Sequence, residues 1–153
     1  MIKIALCDDN EVERRLLRKI VTAVLRELHQ EVLIVEFSSG EKLQRNFSRG
    51  DYDLIFLDVF MKEMDGIATG RAIRKKDVKV EIILATGSDQ YLREGYELHA
   101  FAYLMKPYDV MQVRATICDY FSRNQVSTHD EDMEFLRFSV QQKKFCIKQR
   151  EIS

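Results

Sequence analysis

The chain has 153 residues, enough for one domain with its own hydrophobic core and a short additional segment. Hydrophobic residues make up 46% of it and charged residues 32%, which is typical of a folded chain and not of a disordered one. A formal net charge of -1 excludes a strong overall field that would draw the chain to nucleic acid or to an anionic membrane. Because the apolar runs are too short to span a bilayer and the N-terminus has no signal-peptide pattern, we expect a cytoplasmic protein without a membrane partner.

Short apolar runs alternate with helix-like segments along the first 123 residues. Runs rich in Ile, Val, Leu and aromatic residues predict buried strands at residues 2–7, 31–37, 53–57, 80–85 and 100–104. Apolar residues at every fourth position predict a first helix over 11–28, and a second is predicted over 40–47. Three further helices are expected to begin at the caps Asp65, Ser88 and Asp109 and to end near Lys76, His99 and Arg123.

The regular alternation of strand and helix predicts the fold class. Parallel strands need crossover connections, and helices in those connections cover both faces of the sheet. The sequence therefore predicts a doubly wound α/β domain over residues 1–123.

Polar side chains follow four of the predicted strands at the point where each strand ends. Asp8 and Asp9 follow the first strand, Asp58 the third, Thr86 the fourth, and Lys106 the fifth. Ligands of open α/β sheets bind at the carboxyl ends of the strands, so these five side chains are expected to meet in one crevice.

The residue types at this edge predict a metal site and a nucleophile. Crowded carboxylates repel one another unless a cation neutralises them, and an all-oxygen ligand set favours Mg²⁺. A carboxylate beside a metal can attack phosphorus, which gives Asp58 the role of nucleophile. Lys106 would then supply positive charge to the phosphoryl oxygens, and the hydroxyl of Thr86 a hydrogen bond.

Together these residues resemble the receiver domain of two-component response regulators. The resemblance rests on the Asp8-Asp9 pair, the run LIFLD ending at Asp58, the MDG motif at 64–66, Thr86, and the Lys106-Pro107 pair. It implies a flavodoxin-like sheet of five parallel strands in the order 2-1-3-4-5 and a cis peptide before Pro107.

The resemblance also implies a function and roles for the site residues. A sensor histidine kinase would phosphorylate Asp58, and Mg²⁺ would be held by Asp8, Asp9, Asp58 and the backbone carbonyl of Phe60. Lys106 and Thr86 would contact the phosphoryl group. Such a domain is a phosphoacceptor and not an enzyme with an external substrate.

In this family the signal passes from the threonine to an aromatic residue on the fifth strand, a place that Tyr103 matches. Thr86 and Tyr103 are thus the expected switch, shifting the population between two packings and favouring a homodimer on activation. The basic residues Arg14, Arg15, Arg18 and Lys19 on the first helix fit a solvated face, with kinase docking as the alternative.

The last thirty residues predict a linker and the start of a second domain. Residues 124–132 are polar, and residues 133–153 have an alternating pattern that could form a β-hairpin. The tail resembles the opening strands of the DNA-binding domain of LytTR-type (LytR/AgrA-like) transcriptional regulators. DNA would be contacted only through that domain, which is mostly absent from this chain.

Three other functions are compatible with parts of the pattern. One is an interaction module of the same fold that needs no phosphate. Another is a phosphohydrolase with an aspartyl nucleophile, which commonly has a second acid where this chain has Phe60. A flavin-binding protein would have a hydroxyl-rich phosphate loop after the first strand, where this chain has Asp8 and Asp9.

Overall fold

The computed structural model describes residues 1–124. The strands are β1 (Ile2–Cys7), β2 (Val32–Phe37), β3 (Leu54–Asp58), β4 (Glu81–Thr86) and β5 (Ala102–Met105). The helices are α1 (Glu11–Glu27), α2 (Gly40–Arg45), α3 (Gly66–Lys76), α4 (Leu92–Glu97) and α5 (Val110–Asn124). Residues 1–108, with the sheet and α1 to α4, form one compact unit, and α5 belongs to a second unit that starts at Asp109.

Only Asn124, the last residue of α5, falls in the predicted linker; the rest of the linker and the predicted tail over 133–153 lie outside the described residues. Within residues 1–124, no helix combines the length and the apolar character that crossing a membrane would need.

The five strands form one parallel sheet in the order β2-β1-β3-β4-β5, which confirms the predicted topology. Cys7 at the end of β1 lies opposite Phe37 of β2 and Leu57 of β3. Asp58 lies opposite Ala85, and Thr86 lies opposite Met105. The carboxyl ends of the central strands therefore lie level, and the residues that follow them emerge at one edge.

The central strands β1, β3 and β4 have buried apolar residues on both faces of the sheet, since successive side chains of a strand point to opposite sides. On one face, strand residues such as Ala5, Leu57 and Leu84 share a core cluster with Leu43 of α2 and Ile73 of α3. The cluster also includes Leu98, the residue at the C-terminal end of α4.

Strand residues of opposite parity, such as Ile4 and Phe56, are buried as well. α1 contacts β1 and β2 and buries one side, including Leu17, Val21 and Leu25. The remaining side of α1 is mostly charged, although Val12 and Leu16 are exposed on it, so the helix meets the sheet along one apolar stripe.

Two of the three predicted helix caps are confirmed. The Asp65 carboxylate accepts a hydrogen bond from Ala68 N at 2.8 Å, and the Asp109 carboxylate accepts one from Met111 N at 2.9 Å. The predicted cap at Ser88 is wrong, because α4 begins only at Leu92. The Ser88 hydroxyl instead accepts a hydrogen bond from Gln90 N at 3.3 Å, a local turn that serves the loop before the helix.

Gly66, at the end of the loop after β3, lies close to the backbone of Asp58 and Val59. A Cβ at this position would lie 2.1 Å from the carbonyl oxygen of Asp58 and 2.8 Å from Cα of Val59. The amide of Gly66 also donates to Val59 O at 2.9 Å, so the two segments cannot separate without losing that bond.

We expect Gly66→Ala to lower the free energy of unfolding by about 3 kcal/mol, because the methyl group meets backbone atoms that have no room to move. Gly87→Ala is the matched control, since a Cβ there has no atom within 4 Å. Urea denaturation of the two variants measures the difference. Equal unfolding midpoints would contradict the close approach at Gly66.

Candidate functional site

Three carboxylates meet at the carboxyl edge of the sheet. Asp8 and Asp9 follow β1, Asp58 ends β3, and the pairing of Cys7 with Leu57 makes these strand ends neighbours. One carboxylate oxygen from each residue lies within 4.8 Å of the others. Asp8 and Asp58 are only 4% and 5% exposed, so two of the three charges lack full access to water.

The ammonium group of Lys106 lies among these acids. Its Nζ is 3.0 Å from Oδ2 of Asp8 and 3.2 Å from Oδ1 of Asp58, and it also donates to Glu13. Lys106 N donates to Thr86 O at 2.8 Å, which fixes the residue beside the end of β4. The peptide bond between Lys106 and Pro107 is cis, as predicted.

Backbone groups orient the two N-terminal acids. The Oδ1 atom of Asp8 accepts a hydrogen bond from Asn10 N at 2.9 Å, and Oδ2 of Asp9 accepts one from Lys62 N at 3.0 Å. The guanidinium of Arg14 donates to the carbonyl oxygen of Asp8 at 2.8 Å. Asp9 thus ties the loop after β3 to the end of β1.

Burial and charge together raise the pKa of Asp58 to about 7. Removal from water is the larger cause, and the neighbouring charge of Asp8 adds to it, whereas Lys106 acts in the opposite direction. Burial alone would lower the pKa of Lys106, but its hydrogen bonds to Glu13 and Asp8 raise it above the usual range. Lys106 is therefore a fixed positive charge at every physiological pH.

The donor set fits a hard divalent cation. The three acids offer only oxygen ligands, which suit Mg²⁺. Cys7, the nearest soft donor in sequence, keeps its proton because burial raises the pKa of its thiol to about 12. Three carboxylates contact the ammonium of Lys106, those of Asp8, Asp58 and Glu13. Asp9 adds a fourth beside Asp8 and Asp58, so a cation would relieve an excess of negative charge.

Thr86 lies at the same edge, but its hydroxyl oxygen is hydrogen-bonded to the loop after β4. It is fully buried at the end of β4, and its Oγ1 accepts a hydrogen bond from Ser88 N at 3.2 Å. Its hydroxyl hydrogen remains available for donation.

Phe60 lies in the loop after β3, with its ring edge-on to Tyr91 at 5.2 Å between centroids. The role predicted for its carbonyl stays a prediction.

Tyr103 is half-buried on β5, beside α4. A Cβ on Gly95 of α4 would lie 3.3 Å from its ring. Its hydroxyl is buried, with the backbone of Tyr91 and the carboxylate of Glu94 as its polar neighbours. Burial, followed by the charge of Glu94, raises the pKa of Tyr103, so the phenol keeps its proton. The predicted switching role stays a prediction.

Sequence reasoning missed Glu13 and misjudged part of the basic cluster. Glu13 lies on the first turn of α1, five residues after Asp8, and that short spacing was the only signal. Arg14 and Arg18 do not form a purely solvated face. Both bind Glu36 of β2, at 2.9 and 2.6 Å, and their hydrogen bonds lower the pKa of Glu36 against the effect of its burial.

Comparison with known protein families gives a direct match. The family model described as the response regulator receiver domain matches residues 4–118. The chain belongs to this family. The order of the five strands agrees with that assignment.

Two of the curated relatives are transcriptional regulators by name. The transcriptional regulatory protein NatR of Bacillus subtilis is 30% identical over 124 residues, covering 80% of this chain and 51% of the relative. The transcriptional regulatory protein LytR of Staphylococcus aureus is 38% identical over 66 residues, or 43% of this chain and 27% of the relative. The chain spans about half the length of NatR, and its match covers less of LytR.

Solved structures with the same fold include receiver domains. The receiver domain of the response regulator AraT from Geobacillus stearothermophilus has 27% identity and a TM-score of 0.65, covering 78% of this chain and 92% of that one. The receiver domain of the sensor histidine kinase PA1611 from Pseudomonas aeruginosa has 25% identity, a TM-score of 0.60, and coverages of 78% and 96%. That structure contains a magnesium ion in its active-site cleft.

The raised pKa of Asp58 predicts how the free energy of unfolding depends on pH when no metal is bound. An acid whose pKa rises on folding binds its proton more tightly in the folded state, so stability falls as pH rises from about 4 through about 7. Asp58→Asn should therefore be more stable than the parent at pH 8 by about 1–3 kcal/mol, and this gain should vanish near pH 4.

Urea denaturation in a chelator at the two pH values measures this effect. The control is Asp119→Asn, which removes an exposed acid of α5 and should leave stability nearly unchanged. A variant at Asp58 that is less stable than the parent at pH 8 would contradict the crowding of charge described above.

Proposed function

We propose that this chain is the phosphorylation-switched part of a response regulator, with Asp58 accepting a phosphoryl group from a histidine kinase in the presence of Mg²⁺. The observation that carries the proposal is the position of Asp58, buried at the end of β3 with Lys106 at 3.2 Å and with Asp8 and Asp9 beside it. A nucleophile, a fixed cation and a set of metal ligands are thus within reach of one small group.

Each residue has a step to perform in this reaction. A carboxylate oxygen of Asp58 forms a bond to phosphorus, while the bond from phosphorus to the donor's leaving atom breaks and its electron pair leaves with the donor. The ammonium of Lys106 donates to a phosphoryl oxygen, and the hydroxyl of Thr86 turns its hydrogen toward another.

The three acids and the Phe60 carbonyl are the proposed ligands of the metal. Bound Mg²⁺ supplies charge neutralisation on the phosphoryl oxygens. Asp58 must be ionised to act as a nucleophile, and a pKa of about 7 leaves it partly protonated near neutral pH. Lys106 favours the ionised form, and a cation beside it would favour that form further.

The output of the switch is proposed to lie outside the described residues. Movement of Thr86 toward the phosphoryl group would change the packing of Tyr103 and α4, and so favour a homodimer. A LytTR-type DNA-binding domain beginning near residue 133 would turn dimerisation into regulation of transcription in the cytoplasm. The names of the curated relatives support this assignment.

The test is phosphorylation by acetyl phosphate with Mg²⁺, followed by intact mass spectrometry. The parent chain should gain the mass of one phosphoryl group, and a chelator should prevent the gain. Asp58→Asn should gain none, because the amide is not a nucleophile toward phosphorus. Asp119→Asn keeps the site intact and should behave as the parent does.

The other outcomes separate the competing functions. An unchanged mass of the parent chain would favour an interaction module that works without phosphate. Continued turnover of an added phosphoester, with Asp58 required, would favour a phosphohydrolase.

A further inference from the structure

Glu13 is the one acid around Lys106 that does not come from the end of a strand. An ammonium group has three N–H donors, and those of Lys106 point to Asp8, Asp58 and Glu13. The first two acids belong to the candidate metal site, whereas Glu13 approaches from α1. Glu13 therefore occupies a donor that could otherwise contact a ligand.

The backbone fixes the position of Glu13. Asn10 caps α1, and its side-chain oxygen accepts a hydrogen bond from Glu13 N at 3.1 Å. The carboxylate of Glu13 is 39% exposed, so it reaches Lys106 from the solvent side of the site. This geometry lets Glu13 hold Lys106 without being enclosed among the other acids.

The charge of Glu13 acts in opposite directions on the two kinds of ligand. It adds a fourth carboxylate to the three of the acidic cluster, which strengthens the attraction for a cation. The same charge repels an anion and draws the Lys106 ammonium toward α1. A cation and a phosphoryl group must both bind here if the proposed function is right, so Glu13 favours one and opposes the other.

We propose that Glu13 is a positioning residue that holds Lys106 in the unphosphorylated state and raises selectivity for a cation over an anionic phosphoryl group. The inference rests on the proposed function and adds to it a residue outside the strand ends. Removing the charge of Glu13 releases one N–H of Lys106 and one repulsive charge together.

The experiment compares Glu13→Gln with Glu11→Gln. Glu11 lies on the same first turn of α1, but it pairs with Arg15 at the surface and is 60% exposed. Both substitutions remove one negative charge near the N-terminus of α1, so they are matched for overall charge and for the helix dipole. Of these two acids, only Glu13 contacts Lys106.

Two titrations followed by NMR of the full chain give the readouts. Mg²⁺ alone is titrated first, and beryllofluoride, an anionic analogue of the phosphoryl group, is then titrated at saturating Mg²⁺. Glu13→Gln should weaken Mg²⁺ binding and tighten beryllofluoride binding, each by about three- to tenfold. Glu11→Gln should change either affinity by less than about twofold.

The opposite signs separate the inference from a loss of structure. If Glu13→Gln weakens both ligands, or changes neither, Glu13 does not select between them and the inference is overturned. If the parent chain itself binds no beryllofluoride, the proposed function fails, and the inference fails with it. If the parent binds beryllofluoride and Glu13→Gln binds both ligands as the parent does, the inference about Glu13 is wrong but the proposed function stands.

Discussion

Repulsion among buried carboxylates is the constraint on which the site depends. β1 and β3 are parallel neighbours, so the acids at their ends are brought together by the pairing of the strands. Lys106 offsets part of that repulsion, and its own position depends on the pairing of β5 with β4. The site is therefore a property of the whole sheet, since Lys106 meets the acids only when four strands end at the same level.

Much of the fold could be predicted because the periodicity of apolar residues differs between strands and helices. The five strands agree with the structure, and most of their ends differ by one or two residues. Their order in the sheet was implied by the family resemblance and not by the periodicity, and the structure confirms it. The start of α4 could not be predicted in the same way. Serine caps helices and also closes short turns with the same hydroxyl, and only the position of the backbone decides which of the two occurs.

The rule that ligands bind at the carboxyl ends of parallel strands predicted the acidic cluster and Lys106. The structure brings these four residues together. The rule covers only residues that directly follow a strand, so it says nothing about a side chain that reaches the site from a helix. Glu13 was missed for this reason. Whether a residue on the first turn of α1 reaches Lys106 depends on how the helix lies over β1, and a pattern of residue types does not contain that distance.

The covered hydroxyl of Tyr103 has a thermodynamic consequence. A buried hydroxyl that loses its hydrogen bond costs about 1–3 kcal/mol, so the ring of Tyr103 is stable in this position only while a polar neighbour such as the backbone of Tyr91 stays in place. The loop before α4 and the ring on β5 are thereby coupled, because a displacement of Tyr91 would remove a polar neighbour of the Tyr103 hydroxyl.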